Sequence, residues 1–177
     1  MAAVASSQTA RAAIEKSQVA KDAIAASDMA TAKYAVGAAG LKPADYANMA
    51  AVAASQTAMA AIANNKTAIT AVEASSAAKN ALYNSPLKTT MSSVQSTSSW
   101  VTRRSGKIWL ISFKQTWGSG SNTMQHRYTL KDSTTLSCTA TQSYNTDYRI
   151  DRFMDSITNY NNAGGIGAAC TYVFIPC

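Results

Sequence analysis

The stretch Met49-Ala-Ala-Val-Ala-Ala-Ser-Gln-Thr-Ala58 repeats, with a single change, the first ten residues of the chain, Met1-Ala-Ala-Val-Ala-Ser-Ser-Gln-Thr-Ala10. Around each copy a ten-residue unit recurs, and each unit carries one large apolar side chain. These side chains are Val4, Ile14, Ile24 and Tyr34 in the first array and Val52, Ile62, Val72 and Leu82 in the second. The sequence therefore contains two arrays of four units, offset by 48 residues.

Both arrays are predicted to be helical, because alanine, the best helix former, supplies 31 of the first 90 residues. Each array ends at helix breakers, which are Gly37, Gly40 and Pro43 after the first and Ser85-Pro86 after the second. Ten residues fall about 80° short of three helical turns, so the apolar stripe drifts around a straight helix. Such a stripe requires either a supercoil or short helices.

Small side chains bury little area, so a single helix of this kind is expected to be weakly stable and to associate with others. Two arrangements satisfy the pattern. Several chains run parallel as an Ala-rich coiled coil interrupted near residues 37–45, or each chain folds back there into a helical hairpin. In either case we expect residues 1–88 to form a helical stalk, and we expect the chain to be a homotrimer.

The composition changes in the second half, where alanine becomes rare and eleven of the fourteen aromatic residues occur. We expect a Ser/Thr-rich connector over residues 89–105 and a small antiparallel β-rich head over residues 106–177. The fold class is therefore α + β in separate parts. Alternating or continuous apolar patterns predict strands at residues 107–114, 124–130, 134–141 and 170–175.

A short helix is expected over Arg149–Tyr160, because Ile150, Phe153, Ile157 and Tyr160 have helical spacing. The strand at residues 107–114 is apolar on both faces, which predicts burial on each side or a contact between subunits. Both halves of the chain thus favour an oligomer.

The formal net charge of +7 and the sequence pI near 9.4 raise the question of nucleic-acid binding. Lysine and arginine are spread evenly, with eight before residue 91 and eight after it, and only Arg103, Arg104 and Lys107 lie close together. We therefore expect a mildly basic surface and no nucleic-acid partner. Polar residues interrupt every apolar run before it reaches about 18 residues, so no membrane insertion is expected.

The three cysteines, Cys138, Cys170 and Cys177, form no CxxC or Cys/His motif. The first ten residues contain neither a basic leader nor a Leu-rich stretch, so no secretory signal peptide is expected. An odd cysteine count in a protein made in the cytosol predicts reduced thiols, with Cys138 and Cys170 as small core residues.

Motifs for catalysis are scarce, and we expect no enzyme, no metal and no other cofactor. The single histidine, His126, lies on a predicted strand and is interpreted as a core residue; three copies on a trimer axis would lack the paired spacing of a metal site. The carboxylates of Asp147, Asp151 and Asp155 are spaced by four residues and are interpreted as a solvated helix face. No phosphate-binding loop or dinucleotide-type glycine pattern is present.

Aromatic and amide residues occur in three turn-rich segments of the second half. Rings can stack on sugar faces while amides bond the sugar hydroxyls, and such loops bind without catalysing. The candidate receptor-binding residues are Trp117, Asn122, Tyr144, Asn145, Tyr148, Tyr160, Asn161 and Asn162.

The repeated units, of the form Met-Ala-Ala-Val-Ala-Ala-Ser-Gln-Thr-Ala, resemble the helical repeats of tail fibre and tail tip proteins of tailed bacteriophages. Three stretches resemble the small β heads that end such fibres: Gly106-Lys-Ile-Trp-Leu-Ile111, Arg149-Ile-Asp-Arg-Phe153 and Thr171-Tyr-Val-Phe-Ile-Pro-Cys177. The likeness covers most of the chain but is compositional. Such families share no fixed receptor residues, so no site residue is carried over by position.

The resemblance implies a homotrimeric fibre of the virion tail, synthesised in the host cytoplasm, whose helices form the shaft and whose C-terminal head meets the host. Its partners would be other copies of itself, other virion tail proteins and a host cell-surface glycan or outer-membrane receptor. The alternative is a structural connector, needle or adaptor of the tail, whose head serves trimerisation and docking to another virion protein.

Overall fold

The computed structural model describes residues 1–95, 99–117, 124–130, 135–140, 147–161 and 168–177. The chain divides into two compact units. The helical unit comprises Met1–Lys88 together with Ile175–Cys177, and the strand unit comprises Thr89–Phe174. Helices lie in the N-terminal part and strands in the C-terminal part, so the predicted separation of α and β structure is confirmed.

The described residues form eight α-helices, all in the helical unit and none longer than eleven residues. They are α1 (Ala2–Ser6), α2 (Gln8–Glu15), α3 (Gln18–Ala25), α4 (Asp28–Ala38), α5 (Met49–Ala53), α6 (Gln56–Ala63), α7 (Lys66–Ala74) and α8 (Ser76–Tyr83). A 3-10 turn at Pro43–Asp45 lies between the two arrays.

The helices are short because a polar N-cap begins nearly every one of them. Each capping residue has an extended backbone, and its side-chain oxygen accepts a hydrogen bond from the N–H three residues later. The caps are Ser7, Ser17, Ser27, Asn48, Ser55, Asn65 and Ser75. An extended cap ends the preceding helix as it starts the next. Helical structure is therefore interrupted at almost every unit, and not only near residues 37–45 as the coiled-coil alternative expected. Of the supercoil and the short helices that the drifting apolar stripe allowed, the chain forms short helices.

Helix α4 is the centre of the helical unit. It contacts α1, α2 and α3 of its own array and all four helices of the second array. Seven of its residues, Ala30–Ala32 and Tyr34–Gly37, are buried. A helix buried on nearly every side needs no polar face, so α4 owes its stability to packing by its neighbours.

Side chains of the first array also bind the junction that leads into the second. The Lys33 Nζ atom donates to the carbonyl oxygens of Pro43, at 3.0 Å, and Tyr46, at 2.9 Å. The carboxylate of Asp28 accepts from the N–H of Met49 at 3.0 Å. The two arrays therefore pack together within one chain. The chain thus folds back, as the hairpin alternative expected, but each arm consists of four short helices rather than one long helix.

The described residues form six strands, listed here in chain order: β1 (Thr89–Gln95), β2 (Val101–Trp117), β3 (Met124–Leu130), β4 (Thr135–Ala140), β5 (Asp147–Asn161) and β6 (Ala168–Pro176). They make one sheet in the order β1-β6-β2-β5-β3-β4. Strand β5 pairs antiparallel with both β2 and β3, and β1 pairs antiparallel with β6. The strands predicted at 107–114, 124–130 and 170–175 are confirmed within β2, β3 and β6. Of the strand predicted at 134–141, β4 confirms residues 135–140, and the two end residues lie outside the described residues.

The helix predicted over Arg149–Tyr160 is wrong, because these residues lie within β5. Pairing on both sides satisfies the backbone of this strand, and a short apolar pattern cannot by itself distinguish a helix from a central strand. A bulge near Asp151, whose φ is 52°, interrupts the in-and-out alternation that would have identified the strand.

The segment 89–105, predicted as a connector, contains β1 and the first residues of β2. Two of its hydroxyl residues, Ser92 and Thr102, hydrogen-bond across strands. The Ser92 and Thr171 hydroxyls, for example, lie 3.1 Å apart on neighbouring strands. Threonine has a high strand propensity, so this composition permits a strand as readily as a connector.

Strand β5 is bent, as a series of core contacts between its two ends shows. The rings of Tyr148 and Phe113 lie 5.0 Å apart, and those of Phe113 and Tyr172 lie 6.4 Å apart. Asn159 Nδ2 donates to the Tyr172 hydroxyl at 3.1 Å. These contact distances and the lengths of the side chains add up to an upper limit of about 25 Å between the Cα atoms of Tyr148 and Asn159. A straight strand would separate these two residues, eleven positions apart, by about 36 Å. Strand β5 therefore curves around the core.

Three irregularities in the pairing of β2 with β5 allow this curvature. One lies at Gly106, whose φ of 94° suits glycine because it has no Cβ atom. Beyond it, all six residues from Ile108 to Phe113 are buried. Burial on both faces, predicted for this strand, is thus achieved within a single chain and does not by itself require a second copy.

Candidate functional site

The structure separates the predicted receptor-binding residues into groups. Those that lie outside the described residues are Asn122, Tyr144, Asn145 and Asn162. Trp117 and Asn161 are the last residues of β2 and β5, and only their backbone is described. Tyr148 and Tyr160 are described with their side chains, and they differ in their surroundings.

Tyr148 is a packing residue. Its ring stacks on that of Phe113 with an interplanar angle of 15°, and it packs against the core of the strand unit. The side chain is half-buried. Tyr148 therefore lies at the edge of the core, and the stacking on Phe113 leaves little of its ring free for a receptor.

Tyr160 pairs with an aromatic residue that the sequence analysis did not select. Its ring lies 5.3 Å from that of Trp100, with an interplanar angle of 35°, and both residues are half-buried. Trp100 immediately precedes β2, so the register that pairs Val101 with Asn159 places it opposite Tyr160. In the sequence, Trp100 could be noticed only as a tryptophan shortly before a predicted strand. Its pairing with Tyr160 could not be inferred without knowing that β5 is a strand.

Two threonines lie next to this ring pair. Thr102 and Thr158 are cross-strand partners, and their hydroxyl oxygens are 3.2 Å apart at an exposed position. Because side chains alternate between the faces of a sheet, Trp100, Thr102, Thr158 and Tyr160 share one face. We call these four residues the ring-hydroxyl patch. Two rings beside two hydroxyls are suited to stacking on a sugar and bonding its hydroxyls.

The opposite face at this end of the sheet is closed by a buried polar network. Asn159, which is fully buried, accepts from Arg103 Nε at 2.8 Å and donates to the Tyr172 hydroxyl at 3.1 Å. Burial raises the pKa of Tyr172 well above its usual value, and neighbouring Cys170 adds to the increase. A satisfied network of this kind fixes the backbone beneath the patch.

Cys170 is a core residue, as predicted. Burial raises the pKa of its thiol to about 12, and its hydrogen bonds to Tyr172 and to the backbone of Lys114 partly oppose this effect. A thiol with such a pKa is protonated at neutral pH and is a poor nucleophile. Cys177 is half-buried, and its Sγ is 3.6 Å from the carbonyl of Ile175. The side chain of Cys138 lies outside the described residues.

The three aspartates do not share a solvated helix face, because β5 is a strand. Asp147 is exposed and Asp155 half-buried, but Asp151 is buried and forms an ion pair with Arg149. The ion pair lies at the bulge of β5. The interpretation of a solvated carboxylate is therefore wrong for Asp151.

His126 lies on β3, where its backbone is opposite Cys138 on one side and Asn159 on the other. Its side chain is outside the described residues. Among the described residues, no group of three or more histidine, cysteine, aspartate or glutamate side chains is placed to hold a metal ion. The described helices are also too short or too polar to span a membrane.

Comparison with known proteins gives little further information. No protein-family model matches the chain, and no curated protein sequence matches it. One similar solved structure is described as "Bacillus endospore appendages form a novel family of disulfide-linked pili"; the TM-score is 0.38 at 10% identity, over 50% of this chain and 86% of that one.

A second similar structure is Peruvianin-I, a cysteine peptidase from Thevetia peruviana latex. The TM-score is 0.34 at 12% identity, over 54% of this chain and 57% of the peptidase. At these TM-scores neither likeness supports an argument about the fold or function of this protein.

Proposed function

We propose that the protein is a non-enzymatic tail fibre protein of the bacteriophage type, located in the virion tail, that binds a glycan on the host cell surface. The observation that carries the proposal is the ring-hydroxyl patch, in which Trp100 and Tyr160 lie beside the paired hydroxyls of Thr102 and Thr158. Rings supply stacking area, and hydroxyls donate and accept hydrogen bonds with a sugar.

The location of the patch supports binding rather than packing. Asn159, between the patch residues Thr158 and Tyr160 in sequence, is turned to the opposite face and held by Arg103 and Tyr172. The patch is thereby held on a backbone that need not be ordered when a ligand binds, which lowers the entropic cost of binding. A single patch of two rings and two hydroxyls makes few contacts with a sugar, so its affinity should be weak. We therefore propose a homotrimer, in which three patches act together through avidity.

The test is adsorption of the labelled protein to susceptible host cells, with its mass measured by light scattering. Trp100→Ala and Tyr160→Ala should each lower adsorption at least tenfold, because each removes a stacking surface, while the mass stays near three times 18.6 kDa. Tyr83→Ala is the matched control, since Tyr83 is an exposed tyrosine of the helical unit.

Full adsorption by both patch variants would contradict the proposed site. No adsorption by the parent protein to any susceptible cell would favour the structural connector. A monomeric mass would remove the avidity argument. Circular dichroism of each variant separates loss of binding from loss of folding.

A further inference from the structure

A cleft in the helical unit lies between α2–α4 of the first array and α7 of the second, and it encloses about 480 Å³. This volume falls within the range of about 300–1,000 Å³ that is typical of small-ligand sites. A smaller cavity of about 290 Å³ shares Glu15 and Thr67 with it. Apolar lining comes from the large residues of two ten-residue units, Ile14 and Ile24, and from alanines of α7.

The polar lining of the cleft is balanced in charge. Its members are Glu15, Gln18, Lys21, Asp22, Tyr34, Lys66, Thr67 and Thr70. Two carboxylates and two ammonium groups cancel, so the cleft has no net charge that would favour an anion or a cation. The carboxylates accept hydrogen bonds, the ammonium groups donate them, and the amide and hydroxyls do both. This combination matches a ligand that carries many hydroxyls and no charge.

Tyr34 supplies a buried polar group at this cleft. The residue is only 4% exposed, and its hydroxyl donates to Glu15 Oε1 at 3.3 Å. This distance exceeds the usual 2.7–2.8 Å or so for a hydroxyl donor, so the bond is weak. Burial first, and Glu15 second, raise the pKa of Tyr34 to about 12, so the hydroxyl remains protonated at neutral pH. A ligand hydroxyl could therefore take the place of Tyr34 or of Glu15 in this hydrogen bond, and little free energy would be lost with the weak bond that is broken.

We infer that this cleft binds a neutral, polyhydroxylated molecule of mono- or disaccharide size. Sugar hydroxyls would bond the Glu15 and Asp22 carboxylates, and the C–H face of the ring would pack on Ile14 and Ile24. The inference deepens the proposed function, on which its biological role rests, by adding a carbohydrate site within the helical unit.

The test is a titration of the full chain, labelled with ¹³C at the isoleucine δ1 methyl groups, with lactose, maltose and chitobiose as probes. We expect at least one sugar to produce saturable shifts of the Ile14 and Ile24 methyl signals. The methyl of Ile157, in the core of the strand unit, should not move. Ile14→Val and Ile24→Val assign the two signals.

Two variants localise the binding. Ala74 is exposed and lines the cleft, so Ala74→Trp should fill the cleft and weaken the sugar affinity at least tenfold. Ala54→Trp is the matched control, because Ala54 is also exposed but does not line the cleft. No methyl shift with any probe, or an unchanged affinity in Ala74→Trp, would overturn the inference.

The patch variants Trp100→Ala and Tyr160→Ala distinguish this inference from the proposed function. Both should leave the Ile14 and Ile24 titrations unchanged. If the patch variants lose cell adsorption while no probe moves either methyl signal, the proposed function holds and the cleft inference fails. Sugar-induced methyl shifts combined with full adsorption by both patch variants would give the opposite result.

Discussion

The first ten residues and their copy 48 residues later are nearly identical in sequence but not in surroundings. Met1 and Val4 are 44% and 39% exposed, whereas Met49 and Val52 are fully buried. Helix α5, in the second copy, packs against α4, α6 and α8; helix α1 packs against α2, α4 and the 3-10 turn. The same residues thus form the same helix in both places, while the neighbouring helices decide which side chains are buried.

The two arrays also differ in the contacts that the end of each array makes with its first helix. In the first array, Gly37 of α4 lies against the carbonyl of Ala5, which accepts a hydrogen bond from Arg11 Nη1 at 2.5 Å. In the second array, Ser85 occupies the position equivalent to Gly37, and its Oγ donates to the carbonyl of Ala53 at 2.5 Å. Both arrays thus satisfy the same backbone oxygen at the end of their first helix, with a different donor in each.

A charge introduced at equivalent positions of the two copies should produce the largest difference in the free energy of unfolding. Val52→Asp should lower the free energy of unfolding by about 3 kcal/mol or more, because a carboxylate would replace a fully buried side chain without a partner. Val4→Asp should cost less than about 1 kcal/mol, since water already reaches Val4. Urea unfolding followed by circular dichroism at 222 nm measures both. Equal losses would show that the two copies have equivalent surroundings.

A smaller difference is expected where the arrays close. In Gly37→Ala, the new Cβ would lie 2.4 Å from the Ala5 carbonyl oxygen, so α1 and α4 must move apart. Alanine stabilises a helix by about 1 kcal/mol relative to glycine, and overpacking costs about 1–3 kcal/mol, so we expect a net loss of about 1 kcal/mol.

Ser85→Ala is the counterpart in the second array. It keeps the Cβ atom and removes only the hydroxyl, so its cost of about 1 kcal/mol should come from two lost hydrogen bonds, one donated to the carbonyl of Ala53 and one accepted from the N–H of Leu87. Crystal structures of the two variants separate the mechanisms, because only Gly37→Ala should displace a helix. An increase in thermal stability of Gly37→Ala would contradict the close packing.

The smallest effect at neutral pH is expected at Tyr34, whose equivalent in the second array is Leu82. Burial, with Glu15, raises the pKa of Tyr34 from 10.0 to about 12, so the folded state favours the protonated form. This contribution to stability is complete below pH 10 and is lost as the pH rises through about 12. In Tyr34→Phe, the unfolding free energy should therefore fall less steeply between pH 10 and 12 than in the parent.

Tyr83→Phe is the control for this measurement, because it removes an exposed tyrosine hydroxyl elsewhere in the helical unit. Urea unfolding at a series of pH values gives the profiles. Parallel profiles for the parent and Tyr34→Phe would mean that the phenol titrates alike in the folded and unfolded states.

The strand unit illustrates why a local pattern can mislead. Phe153 and Ile157 have a spacing that suits a helix, yet both are buried in β5. Strand pairing on two sides decides the outcome, and neither partner strand is adjacent to β5 in sequence. Trp100 was missed for the same reason, since only the register between β2 and β5 brings it to Tyr160.

The sequence by itself determined the local features of this protein. Alanine content and regularly placed caps such as Ser17 and Asn65 specify short helices, and the alternating or apolar runs specify most of the strands, because these preferences depend on neighbours within a few residues. Only the tertiary structure decided that Val52 is buried and Val4 is not, that Asn159 joins a core network, and that the cleft forms beside Tyr34. Each of these depends on residues distant in the chain, whose meeting is set by how all the elements pack and not by the local sequence.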